Sequence, residues 1–109
     1  METSWNALTR ATIFLGIFLL CVASTPTSAN DGEDLFKRNC SMCHGIDGKG
    51  FAAMKTPDMS DAKWQESHSD KHIAEFTRAG KPPMPAFPAT KISDEELKAI
   101  VGHIRTLKK

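Results

Sequence analysis

The sequence predicts an all-α domain in which three main helices are joined by short turns. Three segments combine a residue that can cap a helix start with apolar residues at helical spacing. In the first and last of them, acidic residues come early and basic residues late, which complements the helix dipole. Stretches rich in glycine or proline separate the segments and interrupt regular helix. We therefore expect a fold built from packed helices.

The first helix is predicted to follow Asp31, whose carboxylate can accept hydrogen bonds from the first backbone N–H groups. It runs through Arg38 and continues towards Cys40. Leu35, Phe36 and Cys40 fall on one side of this helix, and that side is the predicted buried face.

The second main helix is predicted over 70–79, with Ser69 as its N-terminal cap and Gly80 as its C-terminal stop. Its apolar residues Ile73 and Phe76 are expected to point inward. This helix is short and mostly polar.

The last helix is predicted to start at Ser93, which forms a capping box with Glu96 three residues later. The inward stripe of this helix consists of Leu97, Ile100, Val101 and Ile104. We expect the stripe to cross the first helix near Leu35 and Phe36.

The N-terminal segment is predicted to be a secretory signal peptide over residues 1–29. Arg10 precedes a 13-residue apolar run at 11–23, and the small residues Thr27, Ser28 and Ala29 follow it. As a helix this run would reach about 20 Å, which is short of the roughly 30 Å hydrocarbon core. Export would leave residues 30–109 as one domain in the periplasm. Retention as a membrane anchor is the alternative.

The remaining 80 residues form a chain whose core alone rarely supplies enough stability. Excluding Arg10 and Glu2, the 14 basic and 13 acidic residues become 13 and 12, so the net charge is +1. This near balance gives no indication of binding to nucleic acid or to a membrane surface.

Cys40-Ser41-Met42-Cys43-His44 is the most specific motif in the chain. The C-x-x-C-H spacing is that of c-type haem attachment. Each thiol can form a thioether with one vinyl group, and the adjacent imidazole can then ligate the iron. A thioredoxin-like redox pair, half of a zinc site and a structural disulfide are the alternatives. A covalently bound porphyrin would also provide the apolar body that so short a chain needs.

The stretch 45–50, which follows the motif, contains three glycines and is predicted to be a tight loop. Two positions beyond this loop, Pro57 and Trp64, are candidates for contact with the haem. Pro57 follows 13 positions after His44, and its carbonyl could accept a hydrogen bond from the second imidazole nitrogen. Trp64, in a capped turn over 60–64, could donate its indole N–H to a propionate. An ordinary loop proline and a core tryptophan are equally compatible with the sequence.

Met84 is the best candidate for the opposite axial ligand. Four prolines within 82–88 forbid helix, so this methionine is expected to lie on a stiff, extended loop. A thioether pinned there, 40 residues after the motif histidine, suits an iron ligand better than core filling. Met59 and Met54 are its rivals. Phe87 would pack on the haem edge or in the core, and His68 and His72 are expected to be exposed rather than metal ligands.

The chain resembles the class I c-type cytochromes, and in particular the bacterial type that also occurs as a domain of oxidase-associated cytochromes. The resemblance covers the whole of 30–109 and includes Leu35-Phe36, Cys40-x-x-Cys43-His44-Gly45, Gly48-x-Gly50, Pro57-Asp58-Met59, Gly80-Lys81-Pro82-Pro83-Met84-Pro85-x-Phe87 and Ser93-Asp94-Glu95-Glu96-Leu97. It implies the cytochrome c fold, with the helices wrapped around one haem. It also implies thioether links at Cys40 and Cys43, axial ligands His44 and Met84, and the Pro57 carbonyl on His44.

One position departs from the family pattern. The family usually places an aromatic ring such as tyrosine where the last helix crosses the first, whereas this chain has His103 and contains no tyrosine. We expect a packed, neutral histidine there, and we hypothesise that low pH loosens the crossing.

These features predict a one-electron carrier rather than an enzyme, because two axial ligands leave iron no open position. The expected partners are a redox donor and acceptor, with membranes contacted only through partner complexes. We expect no small-molecule substrate, no nucleic acid and a monomeric protein. Met42, Ile46 and the stretch 82–86 could form a small docking patch. A haem-based sensor or peroxidase with a labile Met84 is the alternative function.

Overall fold

The structure is a computed structural model that describes residues 29–109. Apart from Ala29, the predicted signal peptide lies outside the described residues, and its cleavage stays a prediction. The described elements are, in order, α1 (Ala29–Asn39), α2 (Ser41–His44), a 3-10 turn (Ala52–Met54), α3 (Ala62–Ser67), α4 (Asp70–Ala79) and α5 (Asp94–Thr106). Residues 29–109 contain no strand, which confirms the all-α prediction. No helix in this range is long and apolar enough to cross a bilayer.

The start of α1 differs from the prediction. The helix includes Asp31 in its first turn, so Asp31 is not the residue that precedes and caps it. Its carboxylate still complements the positive end of the helix dipole. At the other end the chain stays close to helical, because the Cys40 N–H donates to the Phe36 carbonyl at 2.8 Å and the His44 N–H donates to the Cys40 carbonyl at 3.0 Å.

Helix α4 has the predicted bounds and both predicted caps, but a different buried face. The Ser69 side chain accepts from the His72 N–H, and Gly80 ends the helix. Ile73 is buried, whereas Phe76 is 41% exposed, so its predicted inward position is wrong. Thr77, four residues after Ile73, is buried instead and donates its hydroxyl to the Ile73 carbonyl at 2.8 Å. This internal bond satisfies the hydroxyl and allows a polar residue to occupy the face.

Helix α5 supplies most of the core. Its capping box is complete, with Ser93 and Glu96 each accepting from the other's backbone N–H. The predicted stripe is buried, and the core as a whole contains Leu35, Phe36, Met59, Ile73, Phe87, Ile92, Leu97, Ile100, Val101 and Ile104. The most extensive helix packing is that of α1 across α5. At this crossing the rings of Phe36 and His103 lie 5.2 Å apart between centroids.

A polar cluster, consisting of Gln65, Asp70 and Arg105, joins α3 and the start of α4 to α5. Gln65 is buried, and its side-chain amide donates to the carbonyls of Met59 at 2.6 Å and Ile104 at 2.8 Å. Arg105 donates in turn to the Gln65 side-chain oxygen at 2.8 Å and to Asp70 at 2.7 Å. These bonds satisfy backbone groups where α3 meets α5 and therefore fix the position of the segment that begins at Met59.

Candidate haem-binding site

The two motif cysteines lie side by side at the junction of α1 and α2. Both thiols are free and half-buried, so the disulfide alternative is not formed in this structure. Burial, with a further contribution from the neighbouring Cys43, raises the pKa of the Cys40 thiol to about 11. Among residues 29–109 no three side chains of the metal-binding types gather into a site for a zinc ion. The thiols are therefore available for another reaction.

His44 ends α2 and is half-buried. Burial lowers the pKa of its imidazole, which favours the neutral form that ligates metals. Its Nδ1 atom is buried and has no hydrogen-bond partner among the described residues. A bond from this nitrogen to the Pro57 carbonyl is thus not formed in this structure, and the predicted bond from the second imidazole nitrogen stays a prediction for the haem-loaded protein.

The glycine loop after the motif contacts His44 and Pro57 through the backbone of Gly50. The Gly50 N–H donates to the His44 carbonyl at 2.7 Å, and the Gly48 N–H donates to Gly45 at 3.1 Å, which confirms the tight loop. Gly50 has a φ of +72°, and a Cβ there would lie 2.8 Å from the Pro57 carbonyl oxygen. The close approach of this carbonyl to the loop therefore requires glycine.

Met84 is presented by a tight turn, so the prediction of an extended loop is wrong for 81–84. The N–H and carbonyl groups of Lys81 and Met84 bond to each other at 3.0 and 2.7 Å, with two prolines at the corner. The Met84 side chain is half-buried against the core. Of the rival methionines, Met59 is only 5% exposed within the core and Met54 is 41% exposed on the 3-10 turn.

The two aromatic candidates both contact the core. Trp64 is half-buried and stacks on His68 with ring centroids 4.5 Å apart. The prediction of an exposed side chain therefore holds for His72, whereas His68 is half-buried. Phe87 is buried, with the Lys91 ammonium over its ring at 4.7 Å. Core packing accounts for both side chains in this structure, and haem contact by either stays a prediction.

Arg78 is a residue of this region that sequence reasoning missed. From the last turn of α4 it donates to the carbonyls of Phe87 at 2.9 Å and Ile92 at 2.6 Å, and to the Asp94 carboxylate at 2.6 Å. A basic residue in a last turn is ordinary, because it complements the helix dipole. No sequence signal therefore distinguished it from a surface arginine.

The residues present fit a covalently bound haem. Two free thiols lie within one turn of each other, a neutral imidazole follows them directly, and its second nitrogen is buried without a partner. A small all-helical fold around such a motif defines the class of c-type cytochrome domains.

The comparison with protein families leads to the same class. The family described as "Cytochrome C oxidase, cbb3-type, subunit III" matches residues 27–104. The chain belongs to this family of c-type cytochrome domains, which carry covalently bound haem c.

This chain aligns with only part of some similar proteins and with nearly the whole length of others. This chain is 35% identical over 85 residues to the Cbb3-type cytochrome c oxidase subunit FixPc of Rhizobium leguminosarum bv. viciae. The aligned region covers 77% of this chain but only 29% of FixPc. The chain is 30% identical over 93 residues to cytochrome c-552 of Bradyrhizobium diazoefficiens, covering 80% of the chain and 89% of the relative. The solved KustC0563 c-type cytochrome superposes with a TM-score of 0.65 at 36% identity, covering 72% and 99%. The chain therefore spans less than a third of the oxidase subunit.

Proposed function

We propose that residues 30–109 form a soluble one-electron carrier of the periplasm, exported by the signal peptide at 1–29. One haem c is attached through Cys40 and Cys43, with His44 and Met84 as axial ligands. The observation that carries this proposal is the half-buried His44 imidazole, which directly follows two free thiols and has a buried nitrogen without a partner among the described residues.

The protein's part in the chemistry is to bind the haem and to exclude water from it. The haem supplies the reversible one-electron change. Cys40 and Cys43 prevent its loss, and His44 provides a neutral nitrogen ligand whose orientation a bond to the Pro57 carbonyl would fix. Met84 provides the second ligand, and its thioether favours the reduced iron and raises the reduction potential. Trp64 and Phe87, both packed on the core, would exclude water from the ring.

The relatives support a role beside respiratory complexes. FixPc is a subunit of a cbb3-type oxidase, and a Mycobacterium leprae relative that is 34% identical over 84 residues is a cytochrome c subunit of a bc1 complex. Cytochrome c-552 is close to this chain in length, because the aligned part covers 89% of it. We therefore assign the chain a redox protein as donor and another as acceptor. The proposal further includes a monomeric state and contact with membranes only through such partners.

The test compares the exported wild-type protein with Met84→Ala, and uses Met54→Ala as the matched control. Carbon monoxide should not bind the reduced wild-type protein or the control at neutral pH, since both iron positions are occupied. Met84→Ala should bind it and should have a lower reduction potential. In a denaturing gel, Cys40→Ala combined with Cys43→Ala should lose the covalent haem signal.

The outcomes separate the alternatives. Carbon monoxide binding by the wild-type protein would favour a haem-based sensor or peroxidase with a labile Met84. An exported, folded protein without colour would overturn the haem assignment altogether. An unchanged potential in Met84→Ala would overturn the assignment of Met84 as the second iron ligand.

A further inference from the structure

The Met84 segment, residues 81–92, is bound to the last turn of α4 by the side chain of Arg78. The Arg78 guanidinium donates to two backbone carbonyls of this segment, those of Phe87 and Ile92, and its other nitrogen pairs with Asp94 at the start of α5. We propose that Arg78 is a positioning residue that holds the Met84 segment in the geometry required for iron ligation. This inference rests on the proposed role of Met84.

The environment of Arg78 makes these bonds strong. Its side chain is 23% exposed, and the two residues whose carbonyls it binds are 6% and 2% exposed. Hydrogen bonds from a charged donor contribute more than neutral ones, and carbonyls left without a donor in a buried place carry the full cost of desolvation. Removing the guanidinium would therefore take away the side-chain donor of the Phe87 and Ile92 carbonyls together.

A displacement of Phe87 would be passed on to Met84, because the stretch between the two residues is short and stiff. Only Pro85 and Ala86 separate the two residues, and proline limits the backbone rotation that could absorb a displacement. The Phe87 N–H also donates to the Thr77 carbonyl at 3.0 Å, so Arg78 and its neighbour in α4 bind both sides of one residue. A Cβ on Gly80 would lie 2.6 Å from the Ala86 nitrogen, which shows how closely the end of α4 meets this stretch.

Arg105 offers a matched control of the same chemistry. It is also half-buried, at 29% exposure, and pairs with an exposed carboxylate, that of Asp70, at 2.7 Å. Its other donors bind the backbone of Gln65 and His68. None of these partners belongs to the Met84 segment. Loss of either arginine should lower stability, but only loss of Arg78 should affect the methionine.

The experiment uses the haem-loaded proteins carrying Arg78→Gln, Arg78→Lys or Arg105→Gln. Carbon monoxide binding to the reduced form is followed, together with the reduction potential and urea unfolding. Since carbon monoxide can reach the iron only when Met84 leaves it, we expect Arg78→Gln to bind carbon monoxide at neutral pH, with an occupied fraction at least about tenfold above the wild-type background. Arg78→Lys should behave similarly, because a single ammonium cannot reproduce the fork that reaches both carbonyls and Asp94. The potential should fall in both variants.

Arg105→Gln should match the wild-type protein in carbon monoxide binding and potential, even where its unfolding midpoint falls as far as that of the Arg78 variants. Equal carbon monoxide binding by Arg78→Gln and Arg105→Gln would show that general stability governs the ligand and would overturn the inference. Absence of carbon monoxide binding in both Arg78 variants would also overturn it. Met84→Ala, measured alongside, separates this from the proposed function. If that variant also leaves binding and potential unchanged, the assignment of Met84 fails, whereas a change confined to Met84→Ala contradicts only the role of Arg78.

Discussion

The backbone of Gly32 lies directly against the carbonyl group of Ala99 where α1 crosses α5. A Cβ on Gly32 would be 2.2 Å from the Ala99 oxygen and 3.3 Å from the Cβ of His103. No side chain fits at such a distance, so glycine is required for the two helices to approach this closely. The helix crossing on which the core is built thus depends on a residue that has no side chain.

We predict that Gly32→Ala destabilises the haem-loaded protein by about 1 to 3 kcal/mol, the usual cost of overpacking. Helix propensity alone would favour the alanine. The measurement is urea unfolding. Gly102→Ala in α5 is the matched control, since nothing lies within 4 Å of a Cβ there. That control should gain about 0.5 to 1 kcal/mol. A similar gain in Gly32→Ala would contradict the close packing.

The second prediction concerns pH and His103. Burial lowers the pKa of its imidazole below the ordinary 6.5, with Lys37 acting in the same direction and Glu33 opposing it. Its Nε2 atom is buried without a partner among the described residues. The unfolded chain therefore takes up a proton that the folded chain resists. Stability present at pH 7 is lost as the pH falls through 6.5 towards the lower folded value.

His103→Phe removes the titratable imidazole and keeps an aromatic ring beside Phe36. The rise in melting temperature on this substitution should be larger at pH 5 than at pH 7. Lys37 and Glu33, which form an ion pair at 2.7 Å, remain in place in both proteins and serve as a constant background. An equal rise at the two pH values would show that the imidazole does not titrate at this crossing.

The third prediction tests the polar cluster between α3 and α5. Gln65→Leu keeps the size of the side chain but leaves the Met59 and Ile104 carbonyls without their amide donor. We expect a loss of about 2 to 4 kcal/mol in the free energy of unfolding. Glu66→Ala, one residue later, breaks an exposed 3.3 Å ion pair with Lys108 and should cost less than about 1 kcal/mol. Equal effects of the two substitutions would argue against the cluster.

The fourth prediction concerns the docking patch. Met42 is 88% exposed and Ile46 is 67% exposed, so both apolar side chains are available to a redox partner beside the motif. Met42→Lys should slow reoxidation of the reduced protein by respiratory membranes about tenfold, because a charge at an apolar contact must be desolvated. Reoxidation by a small uncharged quinone should not change. Equal rates with membranes for variant and wild type would remove Met42 from the patch.

Predictions that depend on neighbours in the chain were confirmed. The caps of α4 and α5 follow from bonds between Ser69 or Ser93 and an N–H three residues later, so adjacent residues suffice to predict them. The tight loop after His44 likewise depends on closely spaced glycines. Asp31 is the exception, because α1 already includes it. A side chain that can cap a helix does not forbid the helix from continuing through it.

Predictions that depend on distant contacts were less complete. Phe76 and Thr77 are both compatible with the inner face of α4, and only packing against the rest of the domain chose the threonine. Met84 was singled out by its prolines, yet the arginine that binds its segment lies in another helix. A bond between Arg78 and Ile92 spans 14 residues. Helical spacing cannot indicate it.

The sequence by itself determined the helical class, both ends of α4, the start of α5 and the attachment motif, because each of these depends on groups within about four residues of one another. The tertiary structure decided which glycine admits the α1–α5 crossing, which face of α4 is buried and which arginine binds the Met84 segment. These outcomes depend on how whole helices rotate and approach when their apolar faces are buried together. That choice is made by the sum of many weak contacts between residues far apart in the chain.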